Sequence, residues 1–188
     1  MGAGVIPFAR HDSEVWFLFQ TTFSGRKAGH FADFGGGLGD GETYRETAIR
    51  EFIEETETMY FSDDLAQACR SAERIERQIP VVEALFAKTL TKHPDWWCRR
   101  SPGDPPRPRQ WKTFFIEFPH RDIGKLNREW EADSSGRFKK RRELFWLSAG
   151  ELLSIYENDP LRLWKRVRQL ENATGVICDI QRTEETNT

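Results

Sequence analysis

The sequence predicts an α/β protein. Short aromatic and β-branched runs have the length of strands, other segments repeat their apolar residues at helical spacing, and glycine- or proline-rich stretches separate the two kinds. At 188 residues the chain suffices for one domain with a sizeable core, expected over residues 1–180, with the polar stretch 181–188 as a disordered tail.

Taken in order, Val5 to Phe8 can pair with Val15 to Gln20, a strand-like VWFLFQ run preceded by a turn at His11-Asp12-Ser13. Five glycines among residues 35 to 41 predict a loop in which backbone can approach something closely. Thr43 to Thr56 predicts a helix: Thr43 caps it, Glu46 stands in capping-box register, and Ala48, Ile49, Phe52 and Ile53 form its apolar side. A second helix is expected from Ser62-Asp63-Asp64, ending before Pro80. Strands are expected at Val81 to Thr89, Trp111 to Phe118 and Leu144 to Leu147, with an extended basic loop over 93–109 and a polar stretch from Asn127 to Arg142. Pro160 is expected to start a final helix with Leu163, Val167 and Leu170 on one face.

Composition narrows the function classes. A formal net charge of −2, with no zinc-finger or helix-turn-helix signature, speaks against sequence-specific nucleic-acid binding. No run approaches a membrane span, the first residues lack a signal-peptide pattern, and Ile6 stands where a myristoylation site needs Ser or Thr. Cys69, Cys98 and Cys178 are odd in number and widely spaced, as expected of unpaired thiols in a cytoplasmic protein.

The chemistry concentrates in one segment. Glu51, Glu54 and Glu55 fall at i, i+3 and i+4, so one face of the helix carries three carboxylates. From Asp40 to Glu57 seven acids stand against two bases, a net −5. Such a face is either simply solvated or relieved by a cation, and oxygen-only ligands suit Mg²⁺ or Mn²⁺ rather than zinc or copper.

The spacing Gly36-x5-Glu42-x7-Arg50-Glu51-Phe52-x-Glu54-Glu55 resembles the Nudix box, matching its six fixed glycine or polar positions. The resemblance implies an α/β/α sandwich with a mixed sheet, and insertions near 62–78 and 93–109. It also implies a hydrolase that cleaves a phosphoanhydride bond in a nucleoside diphosphate linked to another moiety. By position, Glu51, Glu54 and Glu55 would ligate the metal, Gly35 would lend its carbonyl, and Arg50 and Glu42 would pair to orient the motif. Glu129, Glu131 and Glu143 are candidates for the general base. Two positions depart from the box. Glu57 stands for its glycine and Thr58 for its aliphatic, so the helix is expected to continue or to turn differently there. A Nudix-like module that binds a phosphorylated ligand without cleaving it is the alternative.

Substrate clues are electrostatic. Arg137, Lys139, Lys140, Arg141 and Arg142 place five cations within six residues, and Arg99 to Arg109 adds a net +3. These runs are either solvated turns or binding surfaces for a richly anionic ligand: a dinucleoside polyphosphate, an inositol pyrophosphate or a capped RNA end. Trp96, Trp97, Trp111 and Trp130 flank them and either stack a base or pack internally. A monomer and a homodimer are equally compatible with the sequence.

Overall fold

The computed structural model describes residues 1–101 and 110–185. Strand β1 (Gly2–His11) turns back through Asp12 and Ser13, both at positive φ, into β2 (Glu14–Thr22), which fits a tight two-residue hairpin. β3 (Phe34–Gly37) pairs with β1 in the register Gly4↔Gly35, so the first three glycines of the expected loop are strand. The reason is steric. A Cβ at Gly35 would collide with the Ala3 carbonyl, so only glycine lets β3 lie this close to β1.

β4 (Trp97–Arg99), β5 (Trp111–Glu117) and β6 (Arg142–Ser148) complete a mixed sheet of order β4-β5-β1-β2-β6, with β1 and β5 parallel. Strand alternation then splits the core in two. Val5, Leu18, Phe114 and Leu144 face one side, where α1 (Tyr44–Glu55), α2 (Ala72–Lys92) and α3 (Ile123–Ala132) pack. Ile6, Phe17, Phe19 and Phe115 face the other, covered by α4 (Ala149–Asn158), the short α5 (Lys165–Arg168) and α6 (Ala173–Glu185). The layering is an α/β/α sandwich.

Several elements differ from the sequence-based expectation. Val81 to Thr89 is not a strand but the second half of α2, because its buried residues Val82, Phe86 and Thr89 follow helical spacing. Pro80 does not end the helix: it lies on the exposed side, where water can meet the carbonyl its missing N–H leaves free. That helix starts at Ser71, and Asp64 caps only a 3₁₀ turn, Leu65–Gln67. The polar stretch after Asn127 begins inside α3, whose Leu126 and Trp130 are buried one turn apart. The 93–109 loop contains β4, while its prolines 102, 105, 106 and 108, with Arg107 and Arg109, lie outside the described residues. Pro160 opens a 3₁₀ turn instead of the final helix, although Leu163, Val167 and Leu170 are all buried. The tail expected from Gln181 is helical through Glu185, within α6.

Among the described residues no helix is long and apolar enough to cross a membrane, and the three cysteines are unpaired.

Candidate active site

Helix α1 begins with a reciprocal capping box. Thr43 Oγ1 accepts from the Glu46 amide at 3.2 Å, and the Glu46 carboxylate accepts from the Thr43 amide at 2.8 Å. With its start pinned this way, the helix presents Glu51, Glu54 and Glu55 toward β3 and the turn before α2.

Glu42 and Arg50 form the framework. Arg50 donates from Nε to Glu42 Oε1 at 2.7 Å and from Nη2 to Oε2 at 3.0 Å, a two-point contact. The Gly39 amide and the Thr47 hydroxyl also donate to Glu42, each at 2.8 Å. The Arg50 bonds foremost hold the Glu42 carboxyl down at about 2. Arg50 further reaches Glu51 Oε1 at 2.8 Å and the Gly37 carbonyl at 3.2 Å, and so ties the helix to β3.

Glu51 lies flat against Gly36, where a Cβ would collide with its carboxylate. Burial raises its pKa; Arg50 opposes that, while the neighbouring Glu55 and Glu54 add to it. Its charge is therefore only partly compensated.

Glu55 is the most enclosed of the three. It accepts from the Gly35 amide at 2.8 Å and from Gln20 Nε2 at 2.5 Å, with Lys27 Nζ and Arg142 Nη2 each at 3.4 Å. Burial pushes its pKa up, but Lys27, Arg142, Arg166 and the Gly35 amide outweigh burial and hold it below the ordinary value. Glu54 pairs closely with Arg70 and stands 3.5 Å from Arg50. The Gly35 carbonyl accepts from Arg166 Nη2 at 3.2 Å, and Arg166 also grips buried Asp33 at 2.7 Å and stacks over Trp111.

The three carboxylates thus share one helix face but turn to different cations of the chain. Among the described residues no three acidic, histidine or cysteine side chains converge as a metal-holding group. The donor chemistry nevertheless suits a hard divalent cation, since the under-compensated Glu51 carboxylate shares its helix face with those of Glu54 and Glu55. Arg70 and Lys27, long and partly exposed, would have to swing aside for it.

The end of α1 corrects a further expectation. The helix does not run on or turn differently at Glu57; it leaves as a glycine would, with Glu57 at φ 51° and Thr58 at φ 61°. The Thr58 amide donates back to the Ile53 carbonyl at 3.0 Å, a Schellman closure. Glu57 is fully buried, and its Oε1 accepts from the amides of Lys139 and Lys140 at 3.1 and 3.3 Å. Its Oε2 is buried with no hydrogen-bond partner among the described residues. The departure from the box is therefore a clamp on the basic run.

The other predicted residues scatter. Glu143 lies between Arg142 and Leu144, which both face α1, so alternation along β6 turns it to the opposite side of the sheet, away from the carboxylates. Glu129 is bound to Arg137 at 2.7 Å, and Glu131 is largely exposed, 3.9 Å from Arg141. Arg137 also donates to the carbonyls of Leu65 and Ala66, Lys139 and Lys140 are exposed beside Glu57, and Arg141 stacks over Phe23. Trp96 and Trp130 are core residues, and Trp97 lies beneath Lys112. Gln20, Lys27, Asp33, Arg70 and Arg166 were not marked by any motif. They reach the site from β2, from the loop after it, and from segments before α2 and in α5, and pairing across such sequence distances leaves no local signal.

No family model and no curated protein sequence matches the chain. Solved structures do. An Ap4A hydrolase of C. elegans, in a binary complex, aligns over 99% of each chain with a TM-score of 0.51 at 12% identity. A MutT/Nudix family protein of Listeria innocua aligns over 100% of this chain and 96% of its own, with a TM-score of 0.48 at 14% identity. The protein has the fold of the Nudix hydrolases.

Proposed function

We propose that this chain is a divalent-metal hydrolase of the Nudix type, cleaving a pyrophosphate bond in a nucleoside diphosphate linked to another moiety or in a similarly polyanionic small molecule. The observation that carries this reading is the placement of Glu51, Glu54 and Glu55 on one buried-edge face of α1, locked to β3 by the Glu42–Arg50 pair. These three side chains, with the Gly35 carbonyl, would hold Mg²⁺ or Mn²⁺. The metal would neutralise pyrophosphate charge and acidify the attacking water. The chain's own part is positioning: Arg50 orients the motif, and Lys27 and Lys140, backed by buried Arg142, give the Glu55 end a positive rim for phosphate oxygens. Of the candidates for the base, Glu129 is bound to Arg137, Glu131 lies beside Arg141, and Glu143 is on the opposite face of the sheet from the cluster. The unpaired cysteines suit the cytoplasm, and an Ap4A-like ligand agrees with the positive rim.

A non-catalytic binding module is the second reading, favoured by one observation: each carboxylate is already met by a cation of the chain. Phosphate release from a nucleotide panel with Mg²⁺, with and without Glu54→Gln, separates the two. Turnover that the substitution lowers by orders of magnitude supports the enzyme. Ligand binding with no turnover on any panel member supports the module.

A further inference from the structure

A cleft of about 470 Å³ opens between the turn that starts α2 and the loop before β6, lined by Cys69, Arg70, Ser71, Ile75, Arg137 and Lys139 among others. Its volume falls in the roughly 300–1,000 Å³ range of small-molecule pockets. Three of its walls are cationic and none is acidic. The ammonium of Lys139 makes no ion pair among the described residues, while its backbone is fixed by Glu57. Arg137 is braced by Glu129 and by two carbonyls, so its charge is held at the rim rather than swept away into solvent. Arg70 is the link to the catalytic carboxylates, because the guanidinium at the cleft also pairs with Glu54.

The geometry points to this cleft as a subsite for a substrate phosphate next to the cleaved pyrophosphate bond, with Arg70 shared between that phosphate and Glu54. The assignment rests on the hydrolase reading for its place in a reaction, but the binding itself does not need turnover. A phosphate in the cleft competes with Glu54 for Arg70, and anything that satisfies Glu54 by another route releases Arg70 to the phosphate. Linkage makes the effect reciprocal, so anion and divalent cation reinforce one another at this end of the site. Thr58 and Gln78 brace the turn beneath: Thr58 Oγ1 donates to the Cys69 carbonyl at 3.1 Å, and Gln78 Nε2 to the Thr58 carbonyl at 2.7 Å. The cleft wall is thereby bonded to the unusual exit of α1.

The test is titration of the full chain with inorganic tripolyphosphate in the presence of a metal chelator, followed by calorimetry and by amide chemical shifts. Binding is expected, with shifts at Ser71, Ala72 and Gly136. Lys139→Gln should weaken it roughly threefold to fivefold, the loss of one exposed charge interaction, and Arg182→Gln, the same charge change on α6, should not. Glu54→Gln should strengthen it, because Arg70 is freed and a nearby negative charge is gone. No binding, shifts confined to another surface, or equal loss in the Arg182 control overturns the subsite. An unaltered affinity in Glu54→Gln overturns the sharing of Arg70. A chain that hydrolyses nucleotides yet fails here loses only the subsite, and one that binds here yet hydrolyses nothing loses only the enzyme.

Discussion

Restoring the glycine of the box, Glu57→Gly, tests what the substitution at that position does. Two opposing sets of terms can be worked from the structure. The variant loses two hydrogen bonds from the Lys139 and Lys140 amides to a carboxylate, at 3.1 and 3.3 Å. Bonds to charged acceptors contribute about 1.5–3 kcal/mol each, and these long ones belong at the lower end. Against that loss, a left-handed residue with a side chain costs about 1–2 kcal/mol, which glycine does not incur. The buried, unpartnered Oε2 costs about 1–3 kcal/mol more, and it disappears as well. The gains and losses nearly cancel for the whole fold, so the midpoint of thermal unfolding should move by less than about 4 °C. Locally nothing offsets the loss, because the gains accrue to the helix exit and the losses to the loop. Hydrogen exchange measured residue by residue should show the Lys139 and Lys140 amides exchanging at least about tenfold faster, the equivalent of about 1.4 kcal/mol. Unchanged protection at those two amides would refute the clamp, and a fall of 10 °C or more would show that Glu57 is a general determinant of the fold.

Glu55→Gln should lower stability by about 3 kcal/mol as well as activity, because it strips the counter-charge from buried Arg142 while Glu54→Gln touches only partly exposed cations; equal denaturant midpoints for the two variants would contradict this. Neutralising Lys139, Lys140 and Arg141 together should weaken binding of a dinucleoside polyphosphate more than of ADP-ribose, since the loss scales with ligand charge, and equal losses in competitive binding assays would remove the electrostatic case for substrate choice. The Glu42–Arg50 pair has a defined pH window. The Glu42 carboxyl is depressed from 4.5 to about 2, so its stabilisation is fully present above pH 4.5 and is lost as the pH falls toward 2. The stability gap between wild type and Glu42→Gln should therefore be constant from pH 7 to about 5 and shrink below it; a gap that is flat down to pH 2 would mean that the pair is not the origin.

How far the sequence was legible depended on the range of each signal. The capping box at Thr43 and Glu46, the three carboxylates of α1 and the Arg50–Glu42 pair are local, with partners at most eight residues apart, and fixed spacing is enough to place them. The helix over 81–89 was hidden because Pro80 and a β-branched start mimic a break followed by a strand. Only the burial of Val82, Phe86 and Thr89 against β5 and α1 resolves the period as helical. Glu143 shows the converse failure. Its position in the sequence beside a loop suggested a base, but one residue of register decides which face of β6 it occupies. The cations around Glu55 come from residues 27, 142 and 166, and their convergence is a property of sheet order that no window of sequence contains.

Those cations are not equivalent, and the difference bears on whether the carboxylates can serve a metal at all. Arg142 is buried and donates from Nε to the Glu55 carbonyl at 2.9 Å, so it is part of the helix exit and stays whatever binds nearby. Arg166 is fixed likewise by its two-point contact with buried Asp33. Arg70 and Lys27 have no such second anchor among the described residues; each holds a box carboxylate through a flexible stem and loses little by moving to a phosphate instead. A polyanionic substrate of the kind proposed would bring acceptors for these two cations, and their departure would uncover Glu54 and Glu55 for a hydrated cation accompanying the phosphates. The positive charge that ties up the site in the free chain would then be the charge that recognises the proposed substrate.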